Sequence, residues 1–410
     1  MLFDLEKPYI IHSEMKLAGE CMVALIKYCN TYGITDGQFD EKSFLKLRPH
    51  KMYKHCCLMK HPGAMRHRMK ELFSTLPVTA IPFFISCLEE DLRFDFNHNQ
   101  ENYQFPGYLN TMFQGVLTVE ETQKATDQLP KIFEKFYSDF FDHKENHTLK
   151  TNRERFKEEY IKLNTSKENI CPACLGQMHM GKAQLDHYFP KSLFPALVIH
   201  PFNIVPICME CNSSVGKKQD RGKGNRVPAW PVDGEAINEP GCLNGVFLPY
   251  IRSGQQKFKS RIDGTPGNRV IKVEPLSTAA SDEAERIRRH VDTFNLEKAW
   301  TNRIPFHFNM LMQRTLSEFA RVYTDRVAIG GTVTKEEVGD FLWNKLVLNT
   351  EDTLYEVGYQ FEFVSYVISM ATTPECFHPF YKELLKRMEI RTRKAMPTVP
   401  HIYDSFSTTC

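Results

Sequence analysis

Apolar positions recur at helical spacing over several long stretches of the chain. Leu17, Cys21, Met22, Leu25 and Ile26 fall on one stripe of a helix predicted from Ser13 to Cys29, with Ser13 as cap and Gly33 as stop. Asp40 to Leu47 fits a second helix, before Pro49. Thr118 to His143 reads as another, with Phe133, Phe136, Phe140 and Phe141 at helix-like spacing; such a stripe is core rather than a stacking platform. Arg153 to Leu163 alternates charge like an exposed helix. Ser281 caps a further helix, with Asp282 and Glu283 in its first turn. Its buried face is Ala284, Ile287, Val291 and Phe294, leaving Arg286 and Arg289 outside. More helices follow to about Ala395, broken near Gly330-Gly331 and Pro374.

The period changes in the middle of the chain. Gln184 to His187 reads as a short strand, stopped by Pro190. Asn203-Ile204-Val205 is a second extended piece, ended by Pro206, and Met209 to Lys218 can form a helix. Val246 to Ile251 and Arg269 to Glu274 read as strands of an appended hairpin. The expected fold class is α+β, mostly α-helical: a helical region over 1–165, a small strand–loop–strand–helix module with its β appendage over 166–276, and a helical region over 277–410.

That module holds the chemistry. Two Cys-x-x-Cys pairs, Cys171/Cys174 and Cys208/Cys211, bracket it. Each pair places two thiolates on one side of a tight knuckle, and two knuckles make a four-sulfur zinc site. Four thiolates leave no open position, so the expected zinc is structural and pins a motif with little core of its own. No thioredoxin-like βαβ pattern surrounds either pair, which argues against a redox role. The other cysteines are irregularly spaced and read as reduced thiols of a cytoplasmic protein. Between and after the knuckles, the strand–loop–strand–helix order brings Asp186, His187 and Asn212 towards one cleft. A carboxylate, a neutral imidazole and an amide oxygen suit Mg²⁺-assisted activation of water.

These residues carry a resemblance. The stretch Cys171 to Lys218 resembles the HNH nucleases, the ββα-metal fold, in a zinc-stapled form. The first His of that motif, usually preceded by Asp, matches Asp186-His187. The middle Asn matches Asn203, in the setting Asn-Ile-Val-Pro-Ile-Cys. The final His position falls on Asn212, as in the HNH domain of RNA-guided CRISPR nucleases. DHYFPKS-x-FP is also similar to the HNH subunits of bacterial anti-phage systems such as Septu and some retrons. The resemblance spans roughly fifty of the 410 residues. It implies hydrolysis of phosphodiester bonds, most simply of double-stranded DNA, with His187 as general base and Asp186 and Asn212 as ligands of a divalent ion. Asn203 would hold the His187 loop through backbone hydrogen bonds. An amide oxygen is harder than imidazole, so Mg²⁺ or Mn²⁺ is the expected ion.

Charge adds detail. The net charge is +2, so any basic surface must be local. Arg48, Lys51, Lys54, Lys60, Arg66, Arg68 and Lys70 form either a solvated helix face or a phosphate-contacting patch. Lys191, Lys217, Lys218, Arg221 and Lys223 are candidate nucleic-acid contacts, the last four in a glycine-containing stretch after the second knuckle. No signal peptide and no membrane-spanning run is legible. The helical flanks leave room for a protein partner or a homo-oligomer. Two rival readings stand beside the free-standing nuclease: a zinc-stapled nucleic-acid-binding module that no longer cuts, and a nuclease subunit silent until a partner or signal releases it.

Overall fold

A computed structural model describes residues 5–33, 62–93, 115–142, 152–164, 170–176, 183–191, 194–212, 245–254, 257–264, 268–347 and 361–395, with a few isolated positions between them. The helix expected at Asp40 to Leu47, and Arg48, Lys51, Lys54 and Lys60, fall almost wholly outside these residues. The architecture is α+β and mostly helical, with three two-stranded sheets among the described residues. The chain divides into two compact units, Met1–Phe258 with Glu274–Leu296, and Lys259–Val273 with Glu297–Cys410.

The first unit opens with α1 (Tyr9–Tyr32). It starts after Pro8 and ends at Gly33, whose φ of 86° only glycine adopts readily. Ser13 is therefore inside the helix and not its cap. Its hydroxyl bonds back to the Tyr9 carbonyl at 3.0 Å, an alternative open to any helical Ser. Helices α2 (Pro62–Thr75) and α3 (Ile81–Asp91) precede the two-residue strand β1 (Gln104–Phe105). Helix α4 (Val119–Asp142) begins at a reciprocal cap: Thr118 N donates to Glu121 at 2.9 Å, and Glu121 N donates to Thr118 Oγ1 at 3.2 Å. Phe133 and Phe136 of α4 are fully buried, as expected of a core stripe. Helix α5 (Arg153–Leu163) is capped by the Asn152 side chain, which accepts from Arg155 N at 2.8 Å.

Strands β2 (Gln184–His187) and β3 (Ile204–Ile207) form an antiparallel pair, with Gln184 opposite Ile207 and His187 opposite Ile204. Pro206 lies inside β3 rather than ending it. A two-stranded sheet has only edge strands, and an edge position tolerates the missing amide hydrogen. Between the strands run two 3₁₀ turns, Pro195–Ile199 and Pro201–Asn203, every residue of which is buried. Ala196, Val198, Ile199 and Ile204 join one apolar core with the stripes of α1, α3 and α4. The N-terminal helices and the cysteine module thus share a core, because a module this small cannot bury its own loop. Helix α6 (Met209–Asn212) follows β3, and strand β4 (Gly241–Cys242) pairs with β1.

The expected hairpin changes one partner. Val246 to Ile251 is not a strand: Tyr250 adopts φ 62°, and a single bridge joins Leu248 to Arg252. Val246, Phe247 and Leu248 are buried, so the segment packs inward without joining a sheet. The hairpin is instead β5 (Phe258–Asp263) with β6 (Val270–Pro275). Helix α7 (Ser281–Phe294) is capped at Ala280, one residue before Ser281, whose own hydroxyl turns to Asp282. The Ala280 amide donates to Glu283 at 3.2 Å, so the acid supplies the cap that Ser281 was expected to give.

In the second unit, α8 (Leu296–Thr301) caps the outer amides of β6. Ile271 N donates to Thr301 Oγ1 at 2.8 Å, and Val273 N donates to Glu297 at 3.0 Å. Helix α9 (Ile304–Val327) packs with α11 (Phe361–Thr372) and α12 (Pro374–Ala395) around Leu311, Leu316, Tyr366, Met370, Phe380 and Leu384. Between α9 and α11 lie α10 (Lys335–Asp340) and a π-helical stretch, Phe341–Val347. Among the described residues, no single helix is long and apolar enough to cross a membrane.

Candidate active site and metal centre

The first knuckle is a closed turn. Leu175 N donates to the Cys171 carbonyl at 2.8 Å, and Cys171 N donates to the Gly176 carbonyl at 2.9 Å. Leu175 sits at φ 57°, a left-handed conformation that costs a non-glycine residue about 1 kcal/mol and lets both sulfurs face one point. The second knuckle is the first turn of α6, with Asn212 N donating to the Cys208 carbonyl at 3.1 Å. All four cysteines are buried, and their sulfurs lie within 4.8 Å of one another.

The donor set fits zinc. Cys174 Sγ and Cys208 Sγ are 3.7 Å apart, too far for a disulfide. That distance is the edge of a tetrahedron whose centre is about 2.3 Å from each sulfur, the usual Zn–S length. Amides already point at the sulfurs: Gly176 N to Cys174 at 3.4 Å, Cys208 N to Cys171 at 3.3 Å, and Cys211 N to Cys208 at 3.4 Å. Such donors stabilise thiolates. Four thiols in a dry pocket cannot ionise together without a cation. Hydrogen bonds from Cys171, Cys174 and Cys211 hold the Cys208 thiol far below its ordinary pKa. Burial pushes Cys171 well up, and the three other thiols push Cys211 well up. A divalent ion removes that conflict.

His187 ends β2 and is 8% exposed. Its Nε2 lies 2.8 Å from the Val198 carbonyl. A carbonyl can only accept, so Nε2 carries the proton and Nδ1 is the basic nitrogen of the ring. The imidazole also meets the Tyr137 ring of α4 edge-on, centroids 4.8 Å apart. Asn203 is fully buried and ties down the chain after His187. Its Oδ1 accepts from Phe189 N at 2.6 Å, and its Nδ2 donates to the Phe189 carbonyl at 3.1 Å and the Leu197 carbonyl at 3.0 Å. Its own carbonyl accepts from Tyr188 N at 2.8 Å. One amide thus locks both sides of the loop that holds Val198 against His187.

Side chains alternate along a strand, so Gln184 and Asp186 share one face of β2. Asn212 Nδ2 donates to Gln184 Oε1 at 2.5 Å, which brings the end of α6 to that face. With its nitrogen so engaged, the amide of Asn212 has its oxygen as the remaining acceptor. Asp186 and Asn212 are hard oxygen donors of the type Mg²⁺ or Mn²⁺ takes. His200 has a local duty instead: its Nδ1 accepts from Phe202 N at 3.3 Å and caps the second 3₁₀ turn. Lys217, Lys218, Arg221 and Lys223 lie outside the described residues.

The chain is similar to a Septu protein, PtuB, of Bacillus thuringiensis. The two are 23% identical over 125 residues, 30% of this chain and 46% of that protein. The chain therefore spans about half the length of the curated relative it matches. No protein-family model and no solved structure matches it.

Several residues that shape the site had not been singled out from sequence. Val198 offers only a backbone carbonyl, which no sequence pattern marks. Tyr137 comes from α4, in the region read as a separate helical flank. His290 of α7 donates from Nε2 to the carbonyl of Ala173, inside the first knuckle, at 2.8 Å. Burial pushes the pKa of His290 down to about 3, so the ring is neutral. The face read in α7 as Ala284, Ile287, Val291 and Phe294 also contains His290, one helical turn from Phe294.

Proposed function

We propose that this protein is a metal-dependent endonuclease of the HNH type, cutting DNA phosphodiester bonds as part of an anti-phage defence system. The observation that carries the reading is the state of His187. It stands at the end of a hairpin between two cysteine knuckles, with Nε2 fixed as donor by Val198. A ring in that tautomer presents Nδ1 as its basic nitrogen, the atom that a general base uses. His187 would take a proton from the attacking water at Nδ1. Asn203 keeps the imidazole aimed by holding the loop on both sides of Val198. Asp186 and Asn212 would hold a divalent ion, which when bound supplies Lewis-acid stabilisation of charge on the phosphate and leaving oxygen. The four cysteines would hold a structural zinc. Similarity to PtuB supports the defence role.

One observation favours the partner-regulated form of this reading. His187 is only 8% exposed, so little of its ring is open to a duplex. A partner or signal that shifts the surrounding helices would open it.

A cleavage panel tests the proposal: supercoiled DNA, linear duplex, single-stranded DNA and RNA, each with and without Mg²⁺. Cutting of DNA that needs Mg²⁺ and is lost in His187→Ala is the expected result. Cutting that survives in His187→Ala would move the chemistry elsewhere in the chain.

A further inference from the structure

Three side chains gather on one aromatic ring beside the candidate base. Tyr137 meets His187 edge-on at 4.8 Å between centroids. The guanidinium carbon of Arg153 lies 5.2 Å from the centre of the same ring, and the Lys191 ammonium lies 5.8 Å from it. They come from different parts of the chain: Tyr137 from α4, Arg153 from the first position of α5, and Lys191 from the loop after β2. Of these three, Lys191 is the one the sequence marks as a nucleic-acid contact, and Tyr137 and Arg153 fall in the helical region over 1–165.

We propose that Arg153 and Lys191, seated on the Tyr137 ring, form a clamp for a backbone phosphate of duplex DNA next to His187. The clamp rests on the reading of His187 as general base. The aromatic face attracts both cations through its quadrupole and brings no charge of its own. The guanidinium presents a planar fork matched to phosphate oxygens, whereas the ammonium acts as a point charge. Arg153 also stands at the N-terminus of α5, where the helix dipole adds to its positive charge. The shared ring keeps both cations and His187 together, so a phosphate held there lies close to the bond that His187 would attack.

A competing acid is built into the same place. Glu134 of α4 pairs with the Lys191 ammonium, and both side chains are substantially exposed, 54% and 36%. An exposed pair of this kind is weak, so a phosphate oxygen can displace the carboxylate. Glu134 thus sets a threshold for binding.

The test uses the full-length chain in a His187→Ala background with Mg²⁺ present. Binding of a fluorescent duplex DNA oligonucleotide is followed across a salt series. Arg153→Gln and Lys191→Gln should each weaken binding and reduce the slope of log K against log salt by about 0.9, the value of one phosphate contact. Glu134→Gln should tighten binding at low salt. Unchanged slopes in folded Arg153→Gln and Lys191→Gln would overturn the clamp. If either variant fails to melt cooperatively, Glu134→Gln decides alone: tighter binding supports the clamp and unchanged affinity overturns it. DNA cleavage in the His187→Ala background would defeat the reading of His187 without altering these slopes, so the two failures are separable.

Discussion

His290 and Ala173 are joined by a hydrogen bond of 2.8 Å across 117 residues of sequence. The bond ties α7 to the backbone between Cys171 and Cys174, and so to the candidate zinc site. Outer partners of this kind hold metal ligands in place, and their loss commonly costs about 10- to 100-fold in metal affinity. His290→Phe keeps an aromatic ring between Phe247 and Phe294 but cannot donate. It should release zinc to a chelator faster than the parent while remaining folded. Equal release rates would reduce His290 to a packing residue.

Purified protein should carry one tightly held zinc per chain. Cys208→Ser should lose that metal and much of the soluble yield, because binding energy at such a site is folding energy. Elemental analysis finding no zinc in folded, active protein would remove the centre from the account.

His187→Ala should lower cutting by about 10² to 10⁴, the usual worth of a positioned general base. It also leaves the buried Val198 carbonyl without its donor, at a cost of about 1–3 kcal/mol. Zinc content should be unchanged. Loss of activity together with zinc would point to collapse of the module instead.

Asn203→Leu should be the most damaging single change in the loop. It would remove the side-chain partner of Phe189 N, of the Phe189 carbonyl and of the Leu197 carbonyl in the interior, although the Leu197 carbonyl keeps its bond from His200 N. A buried group that loses its partner costs about 1–3 kcal/mol, so a clear fall in melting temperature is expected along with loss of cutting. Asn203→Asp should be intermediate, since it can still accept from Phe189 N. A melting temperature equal to the parent's in Asn203→Leu would contradict the clamp drawn from these bonds.

Asn212→Ala should raise the Mg²⁺ concentration needed for cutting by about 10- to 100-fold. Gln184→Ala should raise it less, because Gln184 only orients the Asn212 amide. Asn212→His should shift preference towards Ni²⁺ or Co²⁺, which imidazole suits better. A metal titration that is unchanged in all three variants, with lowered stability, would make Asn212 a structural end to α6.

What could be read from the sequence was local. Helices α4 and α5 follow from apolar or charge period and from side chains that satisfy their own neighbours' amides. The four cysteines could be paired from spacing, because a knuckle is built within a few residues. Gln184 to His187 was legible as a strand because its end is marked by Pro190. Local signals also misled: Ser13 and Ser281 can each bond elsewhere, and neither caps its helix. The apolar run at Val246 to Ile251 reads as a strand but is buried without pairing beyond one bridge, and the alternating Phe258–Asp263 forms the strand in its place. Only the folded chain decided the surroundings of His187. Val198 comes from the loop between the two strands, and Tyr137, Arg153 and His290 reach the module from helices far away in sequence. The physical reason is burial: Pro195–Ile199 is wholly apolar and cannot stand in water, so it must be covered by α1, α3 and α4. Covering it brings Tyr137 onto the imidazole, a contact that no spacing in the sequence encodes.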